Sequence, residues 1–99
     1  MYMTREVLYC RPGKVGELVK KFTALGEVMK EMGYQPFRQF TDVSGERFWT
    51  LVLESEFETL DGFREMEAQV LSDARAQSAM AGYHELVESG RREIYTVEA

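Results

Sequence analysis

"RFWTLVLESEF", residues 47–57, carries apolar side chains at both odd and even positions. Successive side chains of an extended chain point to opposite faces, so Trp49, Leu51 and Leu53 share one side and Phe48, Thr50 and Val52 the other. A strand that is substantially apolar on both sides belongs in the middle of a sheet, covered on each face.

The segment just before it, "YQPFRQFTDVSGE", residues 34–46, predicts a partner strand and a turn. Pro36 lacks the ladder donor and suits an edge position. Gly45, in a polar cluster with Thr41, Asp42 and Ser44, supplies the positive φ that a hairpin loop often demands. At the other end of the chain, "MTREVLYCRPG", residues 3–13, predicts a first strand with Met3, Arg5, Val7 and Tyr9 on one face and Leu8 and Cys10 on the other. Pro12–Gly13 ends it.

The period then changes. Val15, Leu18, Val19, Phe22, Leu25, Met29 and Met32 recur at three and four residues, the spacing of one helical stripe. Gly33 offers a left-handed terminus for that helix, with Lys30 near its negative end. Gly16 and Gly26 weaken it by up to about 1 kcal/mol each unless close packing compensates. Residues 57–88 predict a second helical region in two pieces. Leu60, Phe63, Met66, Val70 and Ala74 make one face, and Ala76, Met80, Tyr83 and Val87 a displaced one. A break falls near "VLSDAR", residues 70–75, with Ser72 capping the second piece and Asp73 in its first turn. Ser55 and Glu58 have the spacing of a capping box for the first piece. Gly82 is a second weak point, "ESG" at 88–90 closes the region, and Ile94, Tyr95, Thr96 and Val97 make a terminal strand.

Strand, helix, strand, strand, helices, strand is the βαββαβ, ferredoxin-like order of an α+β protein. It predicts one domain over residues 1–99, with a four-stranded antiparallel sheet of order 4-1-3-2 and both helical regions on one side. The other side then has no cover within the chain. An apolar sheet face of that size predicts a homodimer in which two sheets enclose a barrel-like core.

Composition agrees with a small globular domain: 99 residues, 44% hydrophobic and 29% charged, with a formal net charge of -5. The acidic balance argues against a nucleic-acid or anionic-membrane partner, which would require a positive surface. No apolar run approaches the roughly 20 residues of a bilayer span. Neither a secretory leader nor a disulfide framework is visible, Cys10 being the single cysteine, so cytoplasmic residence is expected.

Three stretches, "YCRPGKVGELVKKF" (9–22), "FWTLVLESEF" (48–57) and "YHELVESGRREIY" (83–95), resemble the dimeric α+β barrel superfamily, in particular NIPSNAP-like proteins and small proteins similar to antibiotic-biosynthesis monooxygenases. The resemblance spans nearly the whole chain and implies the fold more specifically than any activity. The haem-degrading branch of that superfamily uses an asparagine on the first strand, a tryptophan at the helix after the third strand and a histidine in the later helix. This chain contains no asparagine, and its tryptophan precedes "LVLESEF". The resemblance also extends to the cofactor-independent quinone-forming monooxygenases, whose pockets use scattered polar side chains without a strict signature, and no cofactor or metal is expected.

The candidate catalytic residues are His84 and Tyr9. His84 is the only histidine and could move a proton near neutral pH; alternatively it is an ordinary helix-surface residue beside Glu85 and Glu88. Tyr9 and Trp49 could face a flat substrate together or form an aromatic seam between sheets. Arg5 and Arg38, guanidinium groups inside apolar strand patterns, could bind a carboxylate or enolate, or reach solvent. Trp49, Arg5 and Arg38 are thus the candidate ligand-binding residues. Cys10 reads as a buried strand thiol, and no GxGxxG phosphate loop is present.

These readings predict a protein that binds a compact aromatic or carbonyl-containing molecule, with cofactor-independent oxygenation as the reaction. The alternative is a non-enzymatic ligand-binding or protein-interaction domain. A cavity of about 300 Å³ or more, lined by aromatic groups and one or two polar ones, separates the two.

Overall fold

The computed structural model describes residues 1–99. Its elements are β1 (Tyr2–Cys10), α1 (Val15–Glu31), β2 (Arg38–Thr41), β3 (Thr50–Phe57), α2 (Leu60–Ser72), α3 (Ala74–Ala79), a 3-10 turn (Tyr83–Glu85) and β4 (Val87–Thr96). All pairings are antiparallel and the strands lie in the order β2-β3-β1-β4. The expected α+β ferredoxin-like topology, with β1 and β3 central, is therefore the one observed.

The helices cover one face of the sheet. From β1 that face takes Thr4, Glu6, Leu8 and Cys10, and from β3 Leu51, Leu53, Ser55 and Phe57, as the Glu6↔Leu53 and Leu8↔Leu51 register requires. Leu18 and Phe22 of α1 pack with Cys10, Leu51, Leu53 and Leu86 in one core cluster. Met29 joins Phe63, Met66 and Val70 of α2 and Ala76 of α3 in a second. The α1 stripe thus buries as its spacing predicts. Gly26 in that helix sits against the Phe37 ring at an ordinary contact distance for an added Cβ, and Gly33 after it takes φ +88°.

Four local expectations are corrected. Trp49 and Phe48 are not strand residues: β3 begins at Thr50, Phe48 is almost fully exposed and Trp49 is half-exposed. Trp49 turns the chain with φ +64°, a conformation costly for a bulky side chain. The turn is fastened around Thr50, whose amide donates to Asp42 Oδ1 (2.8 Å) and whose hydroxyl donates to Arg47 O (2.7 Å). The cap of α2 is Thr59, accepting from the Gly62 amide at 2.9 Å, rather than Ser55, because β3 continues to Phe57. The cap of α3 is Asp73 rather than Ser72, its carboxylate accepting from the amides of Arg75 and Ala76. Finally, β4 starts at Val87, so "ESG" lies inside a strand, where Gly90 opposes Leu8.

The face away from the helices also differs from expectation. It is largely ionic. Arg5 lies 3.4 Å from Glu54 and 3.7 Å from Glu93, and Arg91 lies 2.9 Å from Glu93 and 3.5 Å from Glu46. Val7, Val52 and Phe40 supply the apolar surface of the depression that these charges line. Val7 is nonetheless buried, because the long arginine and glutamate side chains lie over it.

Candidate functional site

Between the helix layer and the sheet lies a cavity of about 320 Å³. Its wall is mostly apolar, with Phe22, Leu25 and Met29 from α1, Phe63, Met66 and Val70 from α2, and Leu8 and Leu53 from the sheet. These are core positions that do not meet completely across the gap between layers, a common way to form a small-molecule site.

Two polar groups interrupt that wall. On the sheet floor the Thr4 and Ser55 hydroxyls are 2.8 Å apart, as cross-strand partners on the same face. One O–H is used between them, which leaves one donor and several lone pairs for a third oxygen or nitrogen. At a solvent-facing edge, Arg92 of β4 donates from Nε (3.0 Å) and Nη2 (2.7 Å) to Glu6 Oε1. The same guanidinium bonds the Glu67 carboxylate from α2 and lies 4.9 Å over the Phe63 ring. Burial lowers the Arg92 pKa, but its bonds to Glu67 and Glu6 outweigh that and hold it above the ordinary arginine value.

The residues singled out from sequence fall elsewhere. Arg5 and Tyr9 are on the opposite face of the sheet. There Arg5, with Phe40, Glu46, Glu54, Arg91 and Glu93, lines an open depression of about 310 Å³. Tyr9 bonds Arg91 through its hydroxyl and lies under the Arg47 guanidinium at 4.4 Å. Arg38 is exposed at the sheet edge, 4.9 Å from the Phe40 ring centroid. Trp49 is in the hairpin turn. His84 is exposed in the 3-10 turn and stacks on Tyr83 with ring centroids 4.0 Å apart. Tyr83 lines the helix-side cavity, whereas His84 does not. The structure thus brings Tyr9 and Arg5 to one face and separates both from His84.

Charges on the outer face are mutually supporting. Glu93 is held below the usual carboxylate range by the Tyr95 hydroxyl and then by Arg91, and Arg91 is held above its usual value chiefly by Glu93. Burial, then the nearby Asp42 charge, pushes the Cys10 thiol up, in keeping with a packed rather than reactive cysteine. No group of three histidine, cysteine or acidic side chains is arranged to hold a metal ion.

Thr4, Ser55, Glu6, Glu67 and Arg92 were not anticipated. One signal was available: Thr4 and Glu6 alternate with Arg5 and therefore share the Leu8 face, where a carboxylate is out of pattern. The partners Ser55, Arg92 and Glu67 require the strand register and the placement of α2.

Neither a family model nor a curated protein matches the chain. Solved structures do. An uncharacterised NIPSNAP domain protein from Burkholderia xenovorans superimposes with a TM-score of 0.83 at 17% identity, covering 100% of this chain and 96% of its own. A NIPSNAP family protein from Agrobacterium tumefaciens gives 0.82 at 19% identity, covering 96% and 90%. An antibiotic biosynthesis monooxygenase-like protein from Chloroflexus aurantiacus gives 0.73 at 13% identity, covering 99% and 93%. The chain shares the fold of these proteins. No helix is long and apolar enough to cross a membrane.

Proposed function

We propose that this protein binds a compact, predominantly apolar aromatic or carbonyl-containing molecule between its helices and its sheet. The observation that carries this reading is the cavity of about 320 Å³ whose apolar wall is interrupted by the Thr4–Ser55 pair and the Glu6–Arg92–Glu67 group. Apolar burial supplies affinity in such a site, and the few polar groups fix orientation.

The reaction proposed for it is cofactor-independent oxygenation: in a dry pocket the deprotonated substrate gives its electrons to dioxygen and forms a C–O bond. The resulting peroxide takes back the abstracted proton, and loss of water by cleavage of its O–O and adjacent C–H bonds leaves a carbonyl. Glu6 and Glu67 are the two carboxylates on the cavity wall, and one of them accepts the substrate proton. Oxygen uptake with a phenolic or 1,3-dicarbonyl substrate tests this. Loss of uptake in Glu6→Gln or in Glu67→Gln supports it, and unchanged uptake in both removes the carboxylates from the chemistry. A binding role without turnover is the second reading, favoured by the position of His84 and Tyr9 outside the cavity.

A second copy of the chain covers the outer sheet face in this proposal. The alternation of Arg5 and Arg91 with Glu46, Glu54 and Glu93 suits a self-complementary interface, and Phe40 and Tyr95 remain exposed beside it. Sedimentation equilibrium tests the assembly: a dimer is expected, and a stable monomer at micromolar concentration contradicts it.

A further inference from the structure

We infer that the cavity selects an uncharged ligand whose carbonyl oxygen docks on the Thr4–Ser55 hydroxyl pair, and that the Glu6–Arg92–Glu67 group excludes carboxylates from it. The inference rests on the proposed binding role of this cavity and adds the chemical class of the ligand. Three observations carry it.

Thr4 is buried, and its hydroxyl is 2.8 Å from that of Ser55. Whichever hydroxyl donates within the pair, the other retains its proton, so the floor offers one O–H donor. A ketone or aldehyde oxygen needs one donor and no countercharge.

The charged residues on the wall are Glu6, Glu67 and Arg92, two negative groups and one positive. Arg92, the one cation that could receive an anion, is already bonded to both carboxylates. An entering carboxylate meets a site of net negative charge whose one guanidinium is already bonded to both carboxylates, so it loses hydration for little compensation.

Geometry within the sheet reinforces the exclusion. Thr4 and Glu6 are alternate residues of β1 on the helix-facing side, so the docking oxygen lies near the Glu6 position. A carboxylate placed on the hydroxyl pair would face Glu6 as a like charge.

Isothermal titration calorimetry at pH 7 with naphthalene, 2-acetylnaphthalene and 2-naphthoate tests the inference. The ketone is expected to bind about fivefold more tightly than naphthalene, the worth of one net hydrogen bond. The carboxylate should bind about tenfold more weakly than the ketone, or worse. In a Thr4→Val/Ser55→Ala double variant the ketone should fall to the affinity of naphthalene. In Glu67→Gln, which frees part of Arg92 and leaves the wall electrically neutral, naphthoate should gain affinity relative to naphthalene measured on the same variant. Naphthoate binding the wild-type protein as tightly as the ketone, or a Glu67→Gln variant with no such gain for naphthoate, would overturn the charge selection. Failure of naphthalene and ketone alike to bind would instead overturn the cavity reading itself.

Discussion

Arg92 and Glu6 stand directly opposite each other across the β1–β4 ladder, and the guanidinium bonds one carboxylate oxygen through two nitrogens, at 3.0 and 2.7 Å. A third element joins them when Glu67 reaches the same guanidinium from α2. This arrangement ties the helix layer to the sheet at a cavity edge, so its removal should register both in stability and in access.

Arg92→Met keeps the apolar stem over Phe63 and leaves Glu6 and Glu67 facing one another. The groups are partly exposed, so solvent screening limits the loss to about 1 kcal/mol. A lower urea midpoint with an unchanged m-value is expected. The deficit should shrink when Glu67→Gln is added, because the unpaired repulsion is then relieved.

Thr50 is almost completely buried and fastens the hairpin turn that places Trp49 at φ +64°. Thr50→Val preserves shape but leaves Arg47 O without its donor, at a cost of about 1–2 kcal/mol. Chemical denaturation measures that loss. Emission from Trp49, the single tryptophan, should change in the native state of the variant because one of the two Thr50 bonds that fasten the turn is gone.

The Asp73 carboxylate caps α3 and is held below its usual range chiefly by the Arg75 side chain, then by the Arg75 and Ala76 amides. A carboxyl whose pKa is depressed in the folded state stabilises above its unfolded value of about 3.9, and that contribution disappears as pH falls through the folded value. Asp73→Asn should therefore be less stable than wild type at pH 7. The two should converge as acid protonates Asp73, in thermal melts collected from pH 7 downward.

Gly90 lies where a Cβ would come within 2.9 Å of Val7 O and 3.1 Å of Leu8 Cδ2. Gly90→Ala must displace backbone, and a destabilisation of about 1–3 kcal/mol is expected from overpacking. Val7 and Leu8 amide resonances should shift first in the spectrum of the variant.

The topology was legible because its signals are local and periodic. Leu18, Phe22 and Met29 recur at helical spacing and are all buried. Leu51 and Leu53 alternate and face the helices, while Gly33 and Gly45 turn where their positive φ is needed. Trp49 misled because the apolar alternation runs on past the point where the backbone bends. No tryptophan by itself announces a left-handed turn. The outer face misled because Val52 read with Phe48 as a second apolar side of the strand, whereas Phe48 lies in the turn before it. Arg5, Arg91, Glu54 and Glu93, from three different strands, assemble over Val7 and Val52 only once the register is fixed. The cavity lies beyond sequence for the same reason. It is the space left between two layers, and its polar groups come from β1, β3, β4 and α2.

Amide and methyl chemical-shift mapping of the protein titrated with 2-acetylnaphthalene tests the central claim most directly. Binding in the helix–sheet gap predicts saturable shifts centred on Leu8, Leu53, Phe63, Met66 and Val70. Shifts confined to Arg5, Tyr9, Arg91 and Glu93 on the other side of the sheet, or no saturable shifts at all, would contradict it.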